Sequence, residues 1–162
     1  MRRVRFNLAP FTAALLLWLS TTLHPDELVG AASPAELGSR YSQALARKDS
    51  KAYSLLVSWD RVLPQDRKSL ESAFAEEASS TTTDFRFLTL EQMDQDIRKA
   101  GGMAPIRKPV KREGVTFDFT LPVIGYVVYH FRSQDGQSQG NGAVPVGMKG
   151  GRYFFTTRAP VP

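Results

Sequence analysis

The chain has no cysteine, so neither a disulfide nor a lipid-modified cysteine can occur in it. Histidine is almost as scarce: only His24 and His130 are present. A histidine-rich zinc site within one chain is thereby excluded, and a Ser, His and Asp triad in the mature part would have only His130 to use. The glycines at 136, 140 and 142, and again at 147, 150 and 151, follow neither the dinucleotide-binding nor the P-loop spacing. They read as turn residues, and no nucleotide or other cofactor is expected. Glu91, Asp94 and Asp96 could be read as a cation cluster, but helical positions two apart do not face each other, and they read as a solvated helical face. Charge of one sign is also weakly concentrated, with 21 basic against 16 acidic residues in 162. That balance argues against a nucleic-acid surface.

What the sequence carries first is a leader. Arg2, Arg3 and Arg5 open the chain, and Phe11 to Leu19 follows as an apolar run of signal-peptide length. Small residues at Val29 to Ala32 permit cleavage after Ala31 or Ala32, which makes 1–32 a signal peptide and the protein secreted or periplasmic. A retained inner-membrane anchor is the alternative, since His24, Pro25, Asp26 and Glu27 stand between the apolar run and that cleavage point. A spanning helix of about twenty residues would have to include Asn7, Pro10, Ser20, Thr21 and Thr22. Residues 33–162 then make a single domain, long enough for one core, and loss of the leader charges leaves it at net +4.

Within that domain, helices come first. Ser33 and Pro34 form an N-cap followed by proline at N1, and Leu37, Tyr41, Ala44 and Leu45 recur on one face. Asp49 or Ser50 caps a second helix expected to carry Ala52, Leu55, Leu56 and Trp59 and to end before Pro64. A third begins near Pro64 with Leu70, Ala73, Phe74 and Ala78 inward and Glu76 and Glu77 toward solvent. The period then changes: Phe85 and Phe87 alternate with Asp84 and Arg86, suggesting a short strand. Thr89 caps a helix running to Lys99 with Met93 and Ile97 on one face, and Gly101 and Gly102 stop it. Met103 to Glu113 is aperiodic, basic and rich in proline. Val115 to Leu121 alternates as a strand with one buried face. Tyr126 to Arg132 is apolar on both faces and therefore central. Ser133 to Gly142 reads as a loop, Ala143 to Met148 as a strand that Pro145 pushes toward an edge or a bulge, and Arg152 to Arg158 as the last strand after a Gly150–Gly151 turn. These last four strands are expected to form one antiparallel sheet in sequential order, giving an α+β fold.

The helix pair "YSQALARKDSKAYSLLVSW" (Tyr41 to Trp59) and the closing hairpin "AVPVGMKGGRYFFTTR" (Ala143 to Arg158) resemble the NTF2-like, or cystatin-like, superfamily. The resemblance is one of pattern, without a signature motif. It implies N-terminal helices packed on a curved antiparallel sheet, a cone with a pocket. Ketosteroid-isomerase-like members use a pocket carboxylate as base with tyrosine stabilising the enolate. Asp84 and Asp118, with Tyr41, Tyr53, Tyr126 or Tyr129, are the counterparts this implies.

Three roles follow. Trp59, Phe85, Phe117, Phe119, Tyr129, Phe131 and Tyr153 either line a pocket for a small apolar ligand or a protein partner, or simply fill the core. A cofactor-free isomerase or dehydratase would use the same pocket with His130 as the acid or base. An anchored component of an envelope or secretion assembly is the third. Arg98, Lys99, Arg107, Lys108, Lys111 and Arg112 would then face an anionic membrane surface, or else form a solvated stretch that resists edge pairing. The binding domain without catalysis is the leading expectation.

Overall fold

A computed structural model describes residues 30–103 and 105–162. The leader expected at 1–32 lies outside the described residues apart from Gly30 to Ala32, and no helix among the described residues is long and apolar enough to cross a membrane. The fold is α+β, with N-terminal helices packed against a strongly curled antiparallel half-barrel.

Helix α1 (Pro34–Arg47) starts as its sequence dictates: the Ser33 hydroxyl accepts from Glu36 N at 3.1 Å with proline at the first position. Its buried face is Leu37, Gly38, Tyr41, Ala44 and Leu45. Lys48, left-handed at φ 54°, ends it, and the Asp49 carboxylate caps α2 (Ser50–Ser54) by accepting from Lys51 N and Ala52 N. The second helix is shorter than its sequence predicts. Leu56 to Ser58 is drawn instead onto the free edge of the last sheet strand: Phe155 N donates to Leu56 O at 2.8 Å and Ser58 N to Phe155 O at 2.9 Å. An unpaired buried edge costs more than an extra helical turn returns, so Leu55 is left outside at 48% exposure. Trp59 stands beyond the helix, its indole N–H donating to Ser54 O. Helix α3 (Pro64–Glu77) buries Phe74, with Ala78 buried at its end. Ala73 is exposed, against expectation, because the helix is only partly covered.

The curled sheet runs β1 (Thr81–Thr89), β4 (Gly125–Arg132), β5 (Gln139–Lys149) and β6 (Arg152–Phe155), all antiparallel neighbours in that order. A second, three-stranded sheet takes β2 (Val110–Arg112), β3 (Val115–Phe119) and β7 (Arg158–Pro160), in the order β2-β3-β7. The single four-stranded sheet expected for the C-terminal third is therefore corrected at both ends. The strand expected at Val115 to Leu121 belongs to the small sheet, and the last strand divides at Thr156 and Thr157. The corner is fixed by the buried Thr156 hydroxyl, which accepts from Leu121 N at 2.9 Å and lies 3.0 Å from Thr120 Oγ1. The chain changes sheets there, and Phe154, Phe155 and Thr156 are all buried at the corner.

The loop expected at Ser133 to Gly142 is also shorter, since β5 already begins at Gln139. Gly142 is a strand residue opposite Tyr129, and a Cβ on it would lie 2.1 Å from the Tyr129 ring. It is glycine so that the ring can cross the strand. Helix α4 (Leu90–Lys99) has the complete capping box of Thr89 and Gln92, and Gly101 at φ +69° terminates it.

The folded body reaches back to Gly30. Ala31 is fully buried and exchanges two hydrogen bonds with Tyr153, at 2.9 and 2.8 Å, on the edge of β6.

Candidate functional site

Along β4 the side chains alternate between two sides of the sheet. Val127 and Tyr129 face α1, α2 and α3, and that space is filled. Tyr41 sits at its centre, with ring centroids 4.9 Å from Phe155, 6.0 Å from Phe85 and 6.0 Å from Tyr129. Phe85 stacks on Tyr129 at 5.1 Å, and Tyr53 on Phe74 at 4.4 Å. Burial pushes the Tyr41 and Tyr129 hydroxyls well above the usual phenol range and Tyr53 up to about 12. Glu77 adds to each shift, because it turns inward rather than to solvent as its sequence suggested. Its Oε1 is buried without a hydrogen-bond partner, while Glu76 is exposed.

Of the aromatic residues expected to line one pocket, Phe85, Phe131, Tyr129, Tyr153 and Trp59 pack in or against this core. Trp59 is half-buried, its outer face covered by the Arg67 guanidinium at 4.7 Å. Phe117 and Phe119 stand apart in the small sheet. Phe117 borders a cleft of about 240 Å³ beside α3, and Arg158 lies 4.4 Å above Phe119.

The open space is on the other side. A groove of about 780 Å³ runs between α4 and the sheet, bounded by Met93 and Ile97 above and by Leu88, Val128 and Ala143 below. One end is polar: His130 Nδ1 lies 3.3 Å from Asn141 Oδ1, and Asp84 belongs to the same lining. A bulge between Thr83 and Arg86 creates this end. Asp84 there adopts φ 58°, a conformation that costs a non-glycine residue energy, and it accepts from the Thr83 hydroxyl at 3.0 Å. Arg86 and Asp96, 3.7 Å apart, bridge the sheet to α4.

The structure thus separates the residues considered for proton transfer. His130 and Asp84 share the groove. Asp118 is in the small sheet, accepting from Phe119 N; Tyr41 and Tyr53 are in the core, and Tyr129, buried in the same core, also borders the groove. Tyr126 lies beneath Arg107, whose guanidinium is 5.7 Å from its ring. Sequence reasoning found His130 with Val128 on its strand face, and Met93 and Ile97 on one helix face, but not Asn141 and Ala143 as their neighbours. The apolar second face of β4 was the available signal; the bulge at Asp84 left none. Among the described residues no three His, Asp or Glu side chains come together in a metal-binding arrangement.

The basic run is divided as well. Arg107 points inward and forms a two-pronged pair with Asp94, one arm at 3.0 Å, which holds the carboxyl below its usual range. Arg112 borders the cleft beside α3. Arg98, Lys99, Lys108 and Lys111 remain exposed. Comparison of the chain with protein-family models, with curated proteins and with solved structures returned no match.

Proposed function

We propose that this protein is an exported binding domain of the NTF2-like type, without turnover of its own, that takes a small amphipathic ligand in the groove beneath α4. The observation that carries this reading is the contrast in filling: aromatic rings occupy the space under α1 to α3, while about 780 Å³ stays open beneath α4. Ligand sites of this size, mostly apolar with a few convergent polar groups, are the usual form of small-molecule recognition. Leu88, Met93, Ile97, Val128 and Ala143 suit an alkyl or ring body. Asp84, which forms no ion pair among the described residues, suits a head group that donates hydrogen bonds, such as an amine or hydroxyl. The arginine-rich leader supports export, and the helix-first order on a curled sheet supports the superfamily reading.

The test uses dodecylamine and dodecanoate as probes below their micellar concentrations. Amide and methyl signals of Met93, Val128, His130 and Ala143 are expected to shift with dodecylamine, and less with dodecanoate. Absence of shifts with both, or shifts confined to α1 to α3, would overturn the reading.

A further inference from the structure

We propose that the segment joining α4 to β2 is a docking element that seats this domain on an anionic membrane surface. The proposal is independent of what the groove binds. Two large apolar side chains are presented outward here: Met103 is 94% exposed and Ile106 69%. Around them stand Arg98 and Lys99 at the end of α4 and Lys108 and Lys111 on the far side, all exposed and none in an ion pair among the described residues.

The exposure is built in. Arg107 is turned inward onto Asp94 and over Tyr126, while its neighbours Ile106 and Lys108 are exposed. Arg158 grips the backbone from below, donating to Ile106 O at 2.6 Å and Lys108 O at 3.1 Å. A segment held at Ile106 and Lys108 that shows methionine and isoleucine to water among exposed cations has the composition of an interfacial anchor. The apolar tips enter the acyl boundary while the lysines and arginines meet anionic headgroups.

Two other readings explain less. Protection of the short edge strand β2 accounts for Lys111, but not for Met103 and Ile106. A soluble polyanion would account for the cations and again leave the apolar pair unexplained. Arg107 and Arg112 drop out of the cationic set because one is paired internally and the other faces the cleft beside α3.

The experiment is co-sedimentation of the full folded domain with phosphatidylcholine vesicles, with and without phosphatidylglycerol. Binding is expected only when phosphatidylglycerol is present, and it should weaken as salt rises toward about 0.15 M. The double variant Met103→Asp, Ile106→Asp and the double variant Lys108→Glu, Lys111→Glu should each lose at least about tenfold in partitioning. All four positions are exposed, so the thermal midpoints should match the parent and loss of binding will not reflect misfolding. Failure to sediment with phosphatidylglycerol vesicles would overturn the proposal. So would unchanged binding by the Met103 and Ile106 variant, or capture on heparin without any vesicle binding, since either outcome would indicate a purely electrostatic polyanion contact.

Discussion

On β4, Val127 and Tyr129 point at α1 and are buried, whereas their neighbours Val128 and His130 point toward α4 and stay half-exposed. The same strand serves both sides, so the difference comes from what covers them. Three helices cover the first side, and α1 alone brings Leu37, Tyr41, Ala44 and Leu45. The second is covered by a ten-residue helix with no fully buried residue. Its contribution to the groove is chiefly Met93 and Ile97, and it is held by ion pairs, Arg86 to Asp96 and Arg107 to Asp94. Stability is therefore concentrated on one side of the sheet and accessible surface on the other. Binding surfaces are drawn from such weakly covered regions.

The comparison breaks most sharply at Phe155. This ring is 2% exposed and lies 4.9 Å from Tyr41. Phe155→Ala removes a fully buried aromatic from the filled side and should cost about 3–5 kcal/mol, read as a drop in the urea midpoint. A change below about 1 kcal/mol would show that the helices do not cover the sheet in solution.

The filled side should also fail at high pH. Tyr41, Tyr53 and Tyr129 all have hydroxyl pKa values raised by burial, Tyr53 to about 12. The unfolded chain titrates these groups near pH 10, so above that pH the unfolded state has lost protons that the folded state keeps. Stability contributed this way is complete below about pH 10 and falls as pH rises toward the folded value, by about 1.4 kcal/mol per pH unit for each tyrosine. Urea midpoints should be level from about pH 8 to 9.5 and decline by about pH 11, and Tyr53→Phe should make the decline shallower. A midpoint that stays level to about pH 11 would contradict burial of the hydroxyls.

What could be read in advance was local. Ser33-Pro34, the spacing of Leu37, Tyr41, Ala44 and Leu45, and the Thr89 cap are local signals, and each sits where it was expected. What escaped the sequence was set by distant partners. The early stop of α2 depends on the edge of β6, the division of the last strand depends on Thr156 meeting Leu121, and Gly142 reads as a turn until Tyr129 is seen crossing it. The groove was half legible for the same reason. His130 and the Met93 and Ile97 face were visible, but their meeting depends on α4 returning over β4. The choice of face for Glu77 depended on packing that no helical period encodes.

The smallest effect on stability belongs to the open side, and it sharpens the comparison. Ala143 is exposed and lies opposite Val128 on the floor of the groove. Its cross-strand position tolerates an aromatic residue, because large flat side chains suit a pleated surface. Ala143→Trp should therefore change folding stability by no more than about 0.5 kcal/mol while laying an indole where a ligand would lie. Each methylene of an alkyl probe excluded from the groove loses about 0.8 kcal/mol of transfer energy, and loss of two or three contacts weakens binding by more than about tenfold. Dodecylamine affinity, followed through the Met93 methyl signal, should fall by at least that factor in a protein with the parent's urea midpoint. If the variant instead unfolds easily, the indole has collided with a region already closed in solution, and the two sides of the sheet are filled alike. If it keeps both its stability and its affinity for the probe, the ligand lies elsewhere. Only unchanged stability combined with lost binding fits a groove that is open before the ligand arrives.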